Sequence, residues 1–118
     1  MTAIAQPSGG PLEYGPCDTV NEYHDLLNND EYVRAWSLLS ERFKTTPSVG
    51  AYFGWEGFWK VTTVNLLEVV PQSEAKAEAR CTVRLQYVEA GEERTFTYYL
   101  VRDDVGDTWL IDAVGVAP

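Results

Sequence analysis

Ala75-Lys76-Ala77-Glu78-Ala79-Arg80-Cys81-Thr82-Val83-Arg84-Leu85-Gln86-Tyr87 alternates small or apolar residues with polar ones at every step. Period two over this length predicts a long strand with one face on a core and the other in water. The small, alanine-rich start leaves space beneath whatever covers it, and the bulky end fills that space. Working outward, Val61 to Val70 is β-branched and apolar and reads as a preceding strand, with Pro71-Gln72-Ser73 as the turn. Beyond Tyr87, a turn at Gly91-Glu92 leads to a strand over Arg94 to Arg102. Asp103 to Asp107 reads as another turn, and Trp109 to Val114 as the last strand. Short links between successive strands predict an antiparallel meander.

Upstream of Trp59 the period is helical. A first helix is expected from Thr19, where Thr19 and Glu22 have capping-box spacing, with Val20, Tyr23 and Leu27 on one face and Asn28-Asn29 as the stop. Asp30 reads as the cap of a second helix with the stripe Tyr32, Ala35, Trp36 and Leu39. Thr46 and Pro47 read as the start of a third carrying Tyr52, Trp55, Phe58 and Trp59. Gly50, Gly54 and Gly57 each cost that helix about 1 kcal/mol relative to alanine, so it is short, frayed or pressed against a neighbour. Eight of the fifteen aromatic residues fall between Tyr32 and Trp59, a roof of flat side chains for the sheet. The class is therefore α+β, with three N-terminal helices on one face of a curved four-stranded antiparallel sheet.

The 118 residues make one domain, expected over 18–116, behind a Gly- and Pro-punctuated linker over 1–17. A formal charge of −9 with only nine scattered basic residues disfavours nucleic acid and anionic membrane surfaces. No apolar run reaches the eighteen or so residues of a membrane span, and the N-terminus lacks a signal-peptide pattern. Cys17 and Cys81 read as two separate small hydrophobes, because a bridge requires the linker to fold back onto the sheet. One histidine and two distant thiols make no zinc site, and no phosphate loop or cofactor motif is present.

Two ionisable residues are candidates for chemistry. His24 lies near the edge of the first helix's apolar face, touching sheet or solvent or pointing inward; Asp25 cannot orient it, since adjacent helical side chains diverge. Asp112 interrupts an apolar strand and is expected in a structural ion pair with Arg84 or Arg102. Glu68 reads as solvent-facing. Of Tyr98 and Tyr99, one faces the helices and the other the outer side.

Several strings, in order, carry a family resemblance: Tyr23-His24 with Leu26-Leu27-Asn28, then Tyr32, Ala35-Trp36-Ser37-Leu38-Leu39-Ser40, Tyr52, Phe58-Trp59, Val64 and Trp109-Leu110-Ile111-Asp112. Over residues 18 to 114 they resemble the nuclear transport factor 2-like superfamily, especially bacterial stand-alone domains and those appended to kinases or membrane-tethered proteins. His24, where such domains often carry a second tyrosine, and the glycines around Trp55 depart from that pattern. The resemblance implies a cone-shaped pocket and, in many members, a homodimer through the sheet. The pocket residues expected from it are Tyr23, His24, Leu27, Trp36, Trp55, Phe58 and Trp59. Three readings follow: a non-catalytic binding, sensing or interaction module accessory to a larger protein, with an apolar ligand or protein partner; a small isomerase- or dehydratase-like enzyme using His24 or Asp112 as general base; or a structural dimerisation domain.

Overall fold

The computed structural model describes residues 15–47, 49–102 and 108–117. Among these residues four helices, α1 (Pro16–Asn28), α2 (Tyr32–Trp36), α3 (Glu41–Lys44) and α4 (Tyr52–Val61), precede four strands, β1 (Val64–Glu74), β2 (Glu78–Tyr87), β3 (Glu92–Arg102) and β4 (Trp109–Val116). The strands pair in chain order as one antiparallel sheet. The fold is α+β, as the switch of period at Trp59 implies. The expected linker up to residue 14 and the turn at 103–107 lie outside the described residues.

The alternation in β2 holds: Ala79, Cys81, Val83 and Leu85 are buried toward the helices, while Glu78 and Arg80 are exposed. Tyr98 and Leu100 of β3 and Trp109 and Ile111 of β4 complete the sheet side of the core, against Val20, Tyr23, Leu26 and Leu27 of α1. Tyr98 points in and Tyr99 out, where the Arg80 guanidinium stacks on its ring.

Several boundaries differ from expectation, each for a local reason. Helix α1 begins at Pro16, inside the stretch read as linker, because proline suits the first helical position and the Asp18 carboxylate accepts the Gly15 N–H at 2.8 Å. Thr19 is thus an interior residue, and its hydroxyl donates instead to the Trp109 carbonyl at 3.0 Å. At the other end Asp30 does not cap α2; it takes the left-handed conformation (φ 62°). The N–H groups of Asp30 and Glu31 then bond back to the carbonyls of Leu27 and Leu26, a Schellman closure of α1. Thr46 and Pro47 start no helix. The segment turns through Gly50 at φ 73°, and α4 starts at Tyr52 behind Ala51. The short α3 was not expected; it is capped by Ser40, whose Oγ accepts from the Phe43 N–H at 3.0 Å.

Val61 ends α4 rather than opening β1, and Pro71-Gln72-Ser73 continues β1, with the turn displaced to residues 75–77. Proline is tolerated there because β1 is an edge strand and its register slips between Pro71 and Ser73. A second irregularity between Leu66 and Glu68 bends the same strand.

Cys17 and Cys81 form a disulfide, against the reading of two unpaired cysteines. With α1 beginning at Pro16, its first turn lies over the middle of β2, so no linker needs to fold back.

Candidate functional site

A cavity of about 400 Å³ opens between α4 and the inner face of β2, β3 and β4. Its helix side is Tyr23 of α1, Phe43 of α3, Val49, and Gly54, Trp55, Phe58 and Trp59 of α4. Its sheet side is Leu85, Tyr87, Phe96, Tyr98, Ile111 and Val114. The size is within the roughly 300–1,000 Å³ common for small-molecule sites, which are mostly apolar with a few placed polar groups.

Helix α4 supplies the roof because Trp55 and Trp59 lie four residues apart on the face turned to α1. Trp55 is buried, and its Nε1 donates to the Tyr23 hydroxyl at 3.1 Å. The Tyr23 ring meets Trp59 edge to face at 6.2 Å. The opposite side of α4 is open, with Phe53 and Val61 largely exposed. Among the described residues, nothing lies within 4 Å of where a Cβ would sit on Gly54, at the cavity wall, or on Gly57. These glycines are therefore not pressed against a neighbour.

Polar groups around the cavity are neutral near pH 7. Burial pushes the Tyr23 phenol well above its ordinary value of 10.0, although the indoles of Trp55 and Trp59 act against it. Burial does the same to Tyr98, with Tyr23 and Tyr87 adding to the rise. His24 shares a 2.8 Å hydrogen bond between its Nε2 and the Tyr98 hydroxyl, and burial lowers its pKa from 6.5 to about 4. The imidazole is thus fully enclosed and uncharged, not a helix-edge group in contact with solvent.

Of the seven residues expected to line a pocket, Tyr23, Trp55, Phe58 and Trp59 do so. His24 stands behind Tyr98 and borders a separate polar groove with Asn21, Asp25, Asn28 and Asn65. Leu27 is sealed in the core, and Trp36 packs on the far side of Trp55, with ring centroids 5.0 Å apart. Phe43, Tyr87, Phe96 and Tyr98 were missed. For the strand residues the signal was present: Tyr87 continues the inward alternation of Val83 and Leu85, and Phe96 and Tyr98 lie opposite the inward Val83 and Cys81.

Asp112 lies elsewhere. The segment after α2 runs alongside β4, with the Ile111 N–H donating to the Leu38 carbonyl and the Ser40 N–H to that of Ile111, both at 2.8 Å. This brings Ser40 and Arg42 to Asp112: the Ser40 hydroxyl donates to Oδ1 at 2.7 Å, and the Arg42 guanidinium pairs with Oδ2. Burial works to raise the Asp112 pKa, but the hydrogen bonds from Arg42 and Ser40 and the guanidinium's charge outweigh it, and the carboxyl ends below its ordinary range. An ion pair was expected, with a different partner. Arg84 instead bridges Glu68 and Glu93 on the outer face, and Arg102 lies over the Trp109 ring.

No protein-family model matches the chain, and no curated protein matches it. Among solved structures, a protein from Sphaerobacter thermophilus known from its crystal structure superposes with a TM-score of 0.61 at 11% identity, over 90% of this chain and 99% of that one. At that identity the likeness is one of fold. No described helix is long and apolar enough to cross a membrane.

Proposed function

We propose that the chain is a non-catalytic binding module of the nuclear transport factor 2-like type, accessory to a larger bacterial protein, which holds a neutral apolar ligand between α4 and the sheet. The observation that carries this is the cavity itself: about 400 Å³, walled by aromatic rings, with phenols as the polar groups on its lining. Transfer of an apolar molecule into such a space removes its surface from water, while a charged one would lose hydration without gaining a counter-charge from the described lining. The order of elements, helices followed by a meander, supports the family reading.

The isomerase-like alternative asks His24 or Asp112 to take a proton. An imidazole with a pKa of about 4, already engaged by Tyr98, is a weak base at neutral pH, and Asp112 is committed to Arg42 and Ser40 outside the cavity.

The test is binding of N-phenyl-1-naphthylamine, an uncharged probe that brightens in apolar surroundings, followed together with quenching of tryptophan emission. Saturable binding is expected, weakened about tenfold or more by Val114→Trp, which places an indole in the cavity mouth. Absence of saturable binding, or binding indifferent to Val114→Trp, would remove the proposal.

A further inference from the structure

The chain holds two cysteines, and a single crosslink uses both, with their Cα atoms 5.9 Å apart. The bond ties the first turn of α1 to the middle of β2, an interior strand of the sheet. Cys81 is completely buried and Cys17 partly so. The partners are 64 residues apart in sequence, and the loop they close contains α2, α3, α4 and β1, hence the whole cavity roof. Loops of this length lose much conformational freedom in the unfolded chain when closed, which favours the folded state.

A redox sensor has a solvent-accessible, low-pKa thiol, often poised beside a resolving cysteine. This pair is built differently: the Cys81 sulfur is in the core beneath the helices, and the chain's other cysteine is already bonded to it. Buried crosslinks of this kind form and persist in oxidising surroundings, whereas the cytosol of most cells keeps such thiols reduced. We infer that the chain completes its fold in an oxidising compartment, with Cys17–Cys81 as an obligatory brace between α1 and the sheet. Forming the brace takes two electrons and two protons from the two thiols. A disulfide oxidant of the glutathione type accepts them and leaves as two thiols.

The experiment compares full-length protein kept in an oxidising glutathione buffer with the same protein reduced by dithiothreitol. Alkylation with iodoacetamide and intact mass give the thiol count, and circular dichroism gives the thermal midpoint. No alkylated cysteine is expected in the oxidised sample. Complete reduction is expected to lower the midpoint by roughly 10 °C or more, reversed on reoxidation. The comparison needs no substituted protein, so it does not depend on a variant's ability to fold. Two alkylated cysteines in the oxidising buffer, or a midpoint untouched by reduction, would overturn the inference. Neither result bears on whether the apolar cavity binds its probe.

Discussion

Two places beneath the helices handle polarity in opposite ways. In and behind the cavity under α4, burial reinforces neutral forms: it raises the phenols of Tyr23 and Tyr98 and lowers the imidazole of His24. At the other end of Ile111, Asp112 keeps its charge because a hydroxyl and a guanidinium meet it. The lesson is that burial alone does not decide ionisation; the donors within reach do. A carboxylate survives where the backbone brings partners to it, and the space without such partners stays apolar enough for a hydrophobic guest.

The comparison breaks most severely if the roof is removed. Trp55→Ala deletes a buried indole and the donor to Tyr23, and is expected to destabilise by about 3–5 kcal/mol in urea unfolding. A loss below about 1 kcal/mol would mean that α4 is not packed as described.

Acid separates the two places. His24 has a folded pKa near 4 against an ordinary 6.5, so the unfolded chain takes up the proton first. Its contribution is complete above pH 6.5 and is lost as pH falls from 6.5 to 4, a total of about 3 kcal/mol. His24→Gln is expected to flatten unfolding free energy across that window, and an unchanged slope would show that the imidazole is not held neutral. Asp112 acts lower, since its folded pKa lies below its ordinary 3.8. Its contribution is full above the unfolded value and is lost as pH drops below it. Asp112→Asn should cost about 1–2 kcal/mol at pH 7 and remove the steepness of the acid limb below pH 4, leaving the His24 window intact. The smallest effect belongs to the solvent side. Arg84→Ala, which breaks exposed pairs with Glu68 and Glu93, should change stability by no more than about 0.5 kcal/mol.

Local periodicity carried the sheet. From Glu78 to Tyr87 the inward residues are those that the alternation marks, because a pleat admits one answer once a face is buried. Edges and ends were less legible. Pro71 looks like a turn residue until β1 is known to be an outer strand, and Thr19 looks like a cap until Trp109 supplies an acceptor ninety residues away. The cavity was half legible: Tyr23, Trp55, Phe58 and Trp59 follow from helical spacing and the family resemblance. Phe43 depends on a four-residue helix too short to show a period, and His24 on the chance of a phenol opposite it. The Asp112 partner was hidden for the same reason. Arg42 reaches it only because residues 38–40 run beside β4.

The slip in β4 has a consequence of its own. Leu100 faces Ile111 and Tyr99 faces Ala113, so Asp112 is a supernumerary residue in the ladder. It shifts the strand's phase, which is why Ile111 and Val114, an odd number of positions apart, both reach the hollow. That single added residue turns an ionic group aside and returns the following aliphatic one inward. Strict alternation from Ile111 through Asp112 would put Ala113 inward and turn Val114 out, whereas excising Asp112 would straighten the ladder and leave both on their present sides.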